Sequence, residues 1–413
     1  MPVDDPGDTA WLLLCAVLVL LMASATVMVY AGRVRARHAL SMVMYGLAAV
    51  ISISVTWVFV GFSLAFGADA GGGFVGNLDN AGLASIAESG VASAVDVPPI
   101  AFALFQVAVA VFAGALLVGA GAERMKFGSM LAFLGLWSAL VVPVVTHWTM
   151  TPGGWLAEWG VLDFAGGTVI GTGVGASALA LSLALGPRRH ATPQRLPSRN
   201  LPIALTGFGL LWCCWVGLNA GAALSAGRVA ASAALATHLA GVGGMAGWLM
   251  IEKRLTNVIT ASGAARGGVT GLVAVTAGAG FLDPFASLLL GFVAGAAVFL
   301  AVRLMARVRV DDALDVSVVH LVGGALGMVF IGLFARLIES DHTVGIGLLN
   351  GGGAALLGKQ MVAVLAVAAF AFIASWLIAM VLRAAMGLRV TPEAEEQGLD
   401  HHQQGESADD ARR

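Results

Sequence analysis

The sequence predicts an all-α polytopic membrane protein, and its composition and its apolar runs both support that class. Of the 413 residues, 59% are hydrophobic and only 11% are charged, which is far from the composition of a soluble domain. Apolar runs of about 18 residues or more recur along the chain, and each is long enough to cross a bilayer as a helix. The 55 glycines fit this class, because small residues let helices pack closely in lipid.

These runs predict eleven membrane-spanning helices with approximate boundaries. In chain order the helices cover residues 9–30, 40–66, 99–122, 128–147, 166–186, 201–224, 229–251, 259–279, 284–306, 314–337 and 358–384. Residues 1–386 therefore form the transmembrane domain, and the polar residues 387–413 form a C-terminal tail.

The basic residues predict how the chain lies in the membrane. All of the 22 lysines and arginines except Arg228, Arg336 and Lys359 fall at one end of the spans or in the tail. By the positive-inside rule that end is cytoplasmic. An odd number of spans then puts the N-terminus outside and the C-terminus in the cytoplasm, as expected for a multi-pass protein of the cell membrane.

Two segments share one spacing. Asp163 precedes Gly171 by eight positions, and Asp312 precedes His320 by eight positions, just inside an apolar span in each case. Eight residues make a little over two helical turns, so both members of each pair lie on roughly one helix face. The repeat indicates either an inverted duplication of spans one to five and six to ten, joined by residues 187–200, or chance. An inverted duplication places a shared site near the bilayer midplane.

Five sequence blocks resemble a known family. They are AERMKF at 122–127, LDFAGGT at 162–168, GLNAG at 217–221, the run from Asp312 to His320, and the tail sequences GLRV at 387–390 and GLD at 398–400. In these blocks, and from Asp8 to Glu406 overall, the chain is similar to the ammonium transporter, methylammonium permease and Rh family.

The resemblance implies a fold, a substrate and partners. It implies a homotrimer in which each subunit has a pore between two inverted halves, about 9–186 and 201–337, with an outer helix at 358–384. The substrate is expected to be ammonium or ammonia. The tail is expected to pack across subunits and to take part in docking a PII-type regulatory protein. Composition alone favours a different interpretation, a disordered acidic tail.

The resemblance also assigns pore positions, and this chain keeps only some of them. The family residues are kept at Phe105 and Gln106 in the gate, Trp215 beside the pore, Asp163 beneath the pore entrance, Asn219, and His320 as the second pore histidine. The family residues are replaced at Met150 (tryptophan of the entrance), Val109 and Leu218 (gate and cage), Ala222 (recognition serine) and Gly171 (first histidine). Most replacements remove a polar or aromatic group from the path of the substrate.

The kept residues also have structural interpretations. Asp163 can cap a helix end instead of contacting an ion. Phe105 and Trp215 can be packing aromatics, and His320 can be a core histidine. A buried intramembrane histidine is a functional-site hypothesis by default, which favours a pore role for His320. We expect Gly171 to leave room for water beside His320, so that Gly171→His together with restored cage residues would raise uptake.

The sequence therefore predicts an ammonium or ammonia conductor with an altered pore and low apparent affinity. The alternatives are a transport-poor ammonium sensor or PII-docking scaffold, and a conductor of another small neutral solute. No nucleophile–base or metal constellation is evident, so we predict neither an enzyme nor a cofactor. The net charge of −2 gives no indication of a nucleic-acid partner.

Overall fold

The computed structural model describes residues 5–86, 97–189, 200–308, 310–338 and 343–408, and most of them are helical. The helices are α1 (Pro6–Arg33), α2 (Ala39–Thr56), α3 (Phe62–Phe66), α4 (Pro99–Leu117), α5 (Phe127–Leu140), α6 (Val142–Met150), α7 (Trp155–Glu158), α8 (Val174–Leu185), α9 (Leu201–Gly221), α10 (Arg228–Thr256), α11 (Ala261–Thr276), α12 (Pro284–Arg307), α13 (Val316–Phe334), α14 (Ala355–Ala385) and α15 (Pro392–Gln397). The π-helical segment Trp57–Gly61 joins α2 to α3, and Thr168–Gly173 leads into α8. Two short strands, β1 (Arg336–Ile338) and β2 (Thr343–Gly345), pair antiparallel.

The helical membrane class is confirmed. Ten helical segments within the described ranges are long and apolar enough to cross a membrane. The remaining predicted span, 259–279, folds as α11, which has only 16 residues. That length is just short of the roughly 18 residues that cross a bilayer without tilt or thinning. The count of eleven crossings therefore stays a prediction.

The helix ends define two faces of the molecule. The face that carries residues 386–408 is called the tail face here. At the other end, called the N-terminal face, the Asp8 carboxylate accepts a hydrogen bond from the Ala226 N–H at 2.7 Å. Successive long helices run between the two faces, so the loops alternate between them.

The tail is folded onto the tail face. The Val390 N–H donates to the Arg124 carbonyl at 3.0 Å, which holds the tail beside the loop between α4 and α5. The Asp400 carboxylate accepts hydrogen bonds from the backbone N–H groups of Leu40 and Ser41 and so caps the start of α2. The interpretation of a disordered tail is therefore wrong for residues 387–408, and residues 409–413 lie outside the described residues.

Small residues set the spacing of the helices in the second half of the chain. A Cβ added to Gly291 of α12 would lie 2.0 Å from the Ala240 carbonyl oxygen of α10, and one added to Gly295 would lie 2.1 Å from the Gly244 carbonyl oxygen. Because a real Cβ cannot approach that closely, these glycines bring the two backbones into contact, as expected for helices that associate in lipid.

The last long helix lies at the periphery. α14 packs against α8 and α13 and exposes Leu365, Leu377 and Val381 along one side. An exposed apolar stripe of this kind faces either lipid or another copy of the chain. This is the outer helix expected at 358–384.

Candidate functional site

A cavity of about 520 Å³ lies among the loops of the N-terminal face and is called the N-terminal cavity here. The structure brings together in its wall many of the residues singled out from the sequence. They are Phe105, Gln106, Met150, Asp163, Leu218 and Ala222, with Val109 beside them. The residues that were predicted to form the pore entrance therefore line one cavity.

The wall of the N-terminal cavity holds aromatic rings that the sequence analysis missed. Trp57, Phe66 and Phe102 line it, and the rings of Phe66 and Phe102 meet edge to face at 5.0 Å. Phe164 and Phe281 form a second edge-to-face pair at 5.6 Å in the same wall. Aromatic faces attract cations, so these rings suit a small cationic solute. The rings come from distant segments, so no local spacing pointed to them.

Two carboxylates, Glu158 and Asp163, are the acidic groups of this wall. The Asp163 carboxylate accepts hydrogen bonds from the backbone N–H of Gly167 at 2.7 Å and of Thr168 at 2.9 Å, and from the Thr168 hydroxyl. Burial raises the pKa of Asp163, and these hydrogen bonds oppose that rise. Asp163 therefore holds the start of the Thr168–Gly173 segment, which is the helix-end role considered from the sequence.

Asp312 is bonded in the same way at the other end of the molecule. Its carboxylate accepts from the backbone N–H of Ser317 at 2.6 Å and from the Ser317 hydroxyl at 2.7 Å. In both segments the acceptor is thus an aspartate and the donor is the hydroxyl residue five positions later. The residue eight positions later, Gly171 or His320, lies about one turn further into the helix.

A second, smaller cavity of about 70 Å³ lies near the tail face and is called the tail-side cavity here. His320 lines it, together with Tyr30, Arg33, Arg266 and Asp315. His320 is 2% exposed, and the carbonyl of Ile170 accepts a hydrogen bond from its ring. The ring atom Nδ1 has no hydrogen-bond partner among the described residues. The bond to Ile170 therefore runs through Nε2–H and leaves Nδ1 as a free acceptor in the neutral imidazole.

Trp215 lines neither cavity but lies between them. On α9, Leu211 lines the tail-side cavity and Leu218 lines the N-terminal cavity, and Trp215 shares their helix face four residues after the first. The Trp215 ring meets Phe112 edge to face at 5.2 Å, and its indole N–H donates to the Thr276 hydroxyl at 2.9 Å. The two rings are called the Trp215–Phe112 partition here. Phe112 lies on α4 between Val109, which lines the N-terminal cavity, and Leu116, which lines the tail-side cavity.

Gly171 does not open a space beside His320, and that expectation is wrong. A Cβ added to Gly171 would lie 2.9 Å from the Gly324 Cα atom and 3.5 Å from the His320 carbonyl oxygen. The backbone of α13 occupies the place where a side chain would project. Gly171 is thus a close-packing contact between two helices, and a histidine there would have to move α13.

Asn219 is also outside both cavities. Its amide NH₂ donates to the Thr237 hydroxyl at 2.9 Å, and this bond ties α9 to α10. Its Oδ1 atom is buried and has no partner among the described residues. Asn219 therefore holds two helices together next to the N-terminal cavity.

These features suit recognition and passage of a small polar solute. No group of three metal-ligating side chains occurs within the ranges that the structure describes. What the molecule offers is an aromatic and acidic cavity on one face, a buried imidazole beside a small cavity at the other face, and an apolar partition between them.

Comparison with known proteins identifies the family. Residues 10–409 match the model of the Ammonium Transporter Family. An ammonium transporter of Bacillus subtilis is 38% identical over 97% of this chain and 98% of its own length, and a putative ammonium transporter of Methanothermobacter thermautotrophicus is 40% identical over 96% of each chain. The crystal structure of Candida albicans Mep2 superposes with a TM-score of 0.87 at 32% identity, covering 94% of this chain and 87% of that one. A solved structure described as a sensor Amt protein gives a TM-score of 0.87 at 27% identity, covering 95% and 97%. This chain belongs to the ammonium transporter family.

Proposed function

We propose that this protein moves ammonium nitrogen across the cell membrane through an altered pore that contains one histidine. The substrate enters at the N-terminal cavity, crosses the Trp215–Phe112 partition and leaves through the tail-side cavity past His320. The observation that carries the proposal is the alignment of these three features along α9 in a member of the ammonium transporter family.

Capture at the N-terminal cavity relies on ring faces and carboxylates. Ammonium has four N–H donors and a positive charge, so it suits aromatic faces, the Gln106 carbonyl and the Glu158 carboxylate. The side chains of Met150, Leu218 and Ala222 supply no strong acceptor in the same wall. Low apparent affinity for ammonium follows, because fewer groups replace the water that the ion loses.

The hydrogen bonding of His320 suits a neutral solute. Its Nδ1 atom can accept a hydrogen bond from ammonia while Nε2–H stays bound to Ile170. Because Gly171 supplies no second imidazole, direct proton transfer between two imidazoles is not available. The proton of ammonium therefore stays in the water of the N-terminal cavity.

Orientation and assembly are parts of the same proposal. The tail face carries most of the basic residues, so it lies in the cytoplasm and the N-terminal face lies outside. The exposed stripe on α14 and the family membership support a homotrimer with lipid or a neighbouring subunit against the apolar surfaces. The equivalent bonding of Asp163 and Asp312 supports two inverted halves, 9–186 and 201–337.

A second candidate function is a transport-poor ammonium sensor or a scaffold that docks a PII-type protein. The folded tail favours it, because Asp400 and Val390 hold an ordered surface on the tail face. The similar structure described as a sensor Amt protein supports the same alternative.

One experiment separates the two functions. Purified protein is reconstituted in liposomes that contain a pH-sensitive dye, and the rise of internal pH after an ammonium pulse is compared with that of empty liposomes. The conductor predicts a faster rise, and a rate equal to that of empty liposomes would overturn it. The scaffold predicts that a PII-type protein binds the same sample with the tail present and not after removal of residues 387–413.

A further inference from the structure

The tail-side cavity contains more basic than acidic side chains. Its lining holds two guanidinium groups, Arg33 and Arg266, and one carboxylate, Asp315. The other titratable side chains of the lining are His320 and Tyr30, and the Tyr30 hydroxyl donates to the Leu116 carbonyl at 2.9 Å. The charged side chains of this lining therefore sum to one positive charge.

The three charged groups of the lining come from three segments: the end of α1, α11 and the residue before α13. Arg33 ends α1 and donates to the Asp315 carboxylate at 3.1 Å, and Arg266 of α11 lies 3.6 Å from the same carboxylate oxygen. The three side chains are only 15–17% exposed. Charges in such a site are poorly screened by salt, so their effect on a passing ion is larger than that of surface charges.

One N–H group of Arg266 has no hydrogen-bond acceptor among the described residues. Arg33 also donates to the Leu314 carbonyl at 3.1 Å, whereas the buried Nε of Arg266 has no hydrogen-bond partner among the described residues. The neighbouring Asp312 does not line the cavity. Its carboxylate accepts from the Ser317 N–H and hydroxyl, and burial raises the pKa of Asp312. Asp315 is thus the one carboxylate in the lining that the structure describes, beside two guanidinium groups.

We propose that Arg33, Arg266 and Asp315 form a cation-rejecting exit, so that the species that leaves through the tail-side cavity is neutral ammonia. The inference rests on the proposed function and assigns specificity to residues that are remote from the capture site. The acidic, aromatic N-terminal cavity attracts ammonium, and the basic exit repels it. Ammonium loses one proton to the water of the N-terminal cavity, and the resulting ammonia crosses the partition.

The positive charge of the tail-side cavity is tested by a labelling experiment that does not depend on transport. Ser262 lines the same cavity and is partly exposed, so a single-cysteine Ser262→Cys protein, with Cys15, Cys213 and Cys214 replaced by alanine, reports the local potential. Its reaction rates with a sulfonate and with a trimethylammonium methanethiosulfonate are normalised to those of free cysteine. We expect at least a tenfold preference for the anionic reagent, which is lost in Arg33→Gln/Arg266→Gln. No preference in the parent protein would overturn the inference.

Selectivity is tested in liposomes. The measured ratio is the electric charge that crosses the membrane divided by the amount of ammonia that enters the liposomes. Arg33→Gln/Arg266→Gln changes the formal charge of the lining from +1 to −1 and should raise this ratio at least tenfold. Asp315→Asn should leave the ratio no higher than in the parent, and it suits the site because Asp315 has φ 62° and asparagine tolerates that conformation. Arg33→Lys/Arg266→Lys keeps the charge and should keep the parent ratio.

The matched control is Arg254→Gln/Arg307→Gln, which removes two exposed charges from the tail face but none from the cavity. An equal change of the ratio in this control, or in variants of opposite sign, would assign Arg33 and Arg266 a purely structural role. A parent protein that keeps the thiol preference but delivers no ammonia would overturn the proposed transport while the electrostatic exit stands.

Discussion

At the scale of single residues, two segments share the hydrogen bonding of an aspartate but differ in the residue eight positions after it. Asp163 and Asp312 both bond a hydroxyl residue five positions later, yet they precede a glycine in one half and a histidine in the other. His320 keeps a free acceptor beside a cavity, whereas Gly171 serves only to bring two backbones together. Gly171 therefore contributes a close packing contact to the predicted pore, and His320 contributes a buried imidazole.

Gly171→Ala is expected to destabilise the protein by about 1–3 kcal/mol, because its methyl group would overlap the Gly324 backbone. The measurement is the thermal unfolding midpoint in detergent. Gly209→Ala is the control, since a Cβ there meets no atom within 4 Å. Equal midpoints for both variants would show that α13 moves aside at little cost.

Asp163→Asn and Asp312→Asn are each expected to cost about 1–3 kcal/mol, because the amide NH₂ would face backbone donors that lose an acceptor. If the two halves are duplicates, the two losses in unfolding free energy should be similar. Glu393→Gln, at an exposed position in the tail, should leave the unfolding midpoint unchanged. A large loss at one aspartate alone would contradict equivalent roles.

At the scale of elements, a buried ion cluster joins the loops of the tail face. The Glu123 carboxylate pairs with Arg188 at 2.9 Å and with Arg35 at 3.1 Å, and Arg188 also pairs with Asp311 at 2.8 Å. Glu123 is 2% exposed, so burial alone would raise its pKa, but the two arginines outweigh burial and lower the pKa to about 2. The cluster fixes the start of α2, the loop after α4 and the end of α8 relative to one another.

The Glu123 cluster predicts a pH dependence of stability. The folded-state pKa lies below the ordinary value of 4.5, so the stabilisation is fully present above pH 4.5 and is lost as the pH falls toward 2. The size of the loss is about 3 kcal/mol. Chemical unfolding at pH 7 and pH 3 should therefore differ less for Glu123→Gln than for the parent protein. An identical difference in both would show that Glu123 is not the titrating group.

At the scale of the whole molecule, the proposed path runs from the N-terminal cavity past Trp215 and Phe112 to the tail-side cavity. The N-terminal cavity carries Glu158 and Asp163, and the tail-side cavity carries two arginines and one aspartate. This difference in charge between the cavities supports the proposed entry as ammonium and exit as ammonia. The rings of Trp215 and Phe112 meet edge to face at 5.2 Å on the stretches of α9 and α4 between the two linings.

Trp215→Ala is expected to raise osmotic water permeability in liposomes severalfold, because loss of the indole would join the two cavities. The measurement is stopped-flow light scattering after an osmotic step. Trp248→Ala is the matched control: Trp248 is equally buried and packs against Phe299, but it lines neither cavity. A similar rise of water permeability in both variants would mean that general loosening of the protein, and not removal of the partition, causes the rise.

Much of this organisation could be predicted from the sequence because it depends on local chemistry. The helical class and ten of the spans follow from hydropathy, and seven of the pore positions assigned from the resemblance line one cavity. The rings of Trp57, Phe66 and Phe102 in the N-terminal cavity could not be predicted, because they come from segments that lie far apart in the chain. The place of Arg33 and Arg266 in the tail-side cavity could not be predicted either, because in the sequence each is an ordinary basic residue near a helix end.

Composition and residue identity are enough to assign the chain to the helical membrane proteins and to the ammonium transporter family, because both are carried by the residues themselves. The positions of the predicted pore residues depend on the packing of the helices. The tertiary structure put the α13 backbone where Gly171 was expected to leave space, it set Trp215 and Phe112 between the two cavities, and it gathered Arg33, Arg266 and Asp315 in the lining of one cavity. Distances between helices depend on packing across the whole bundle, and no local pattern in the chain encodes them.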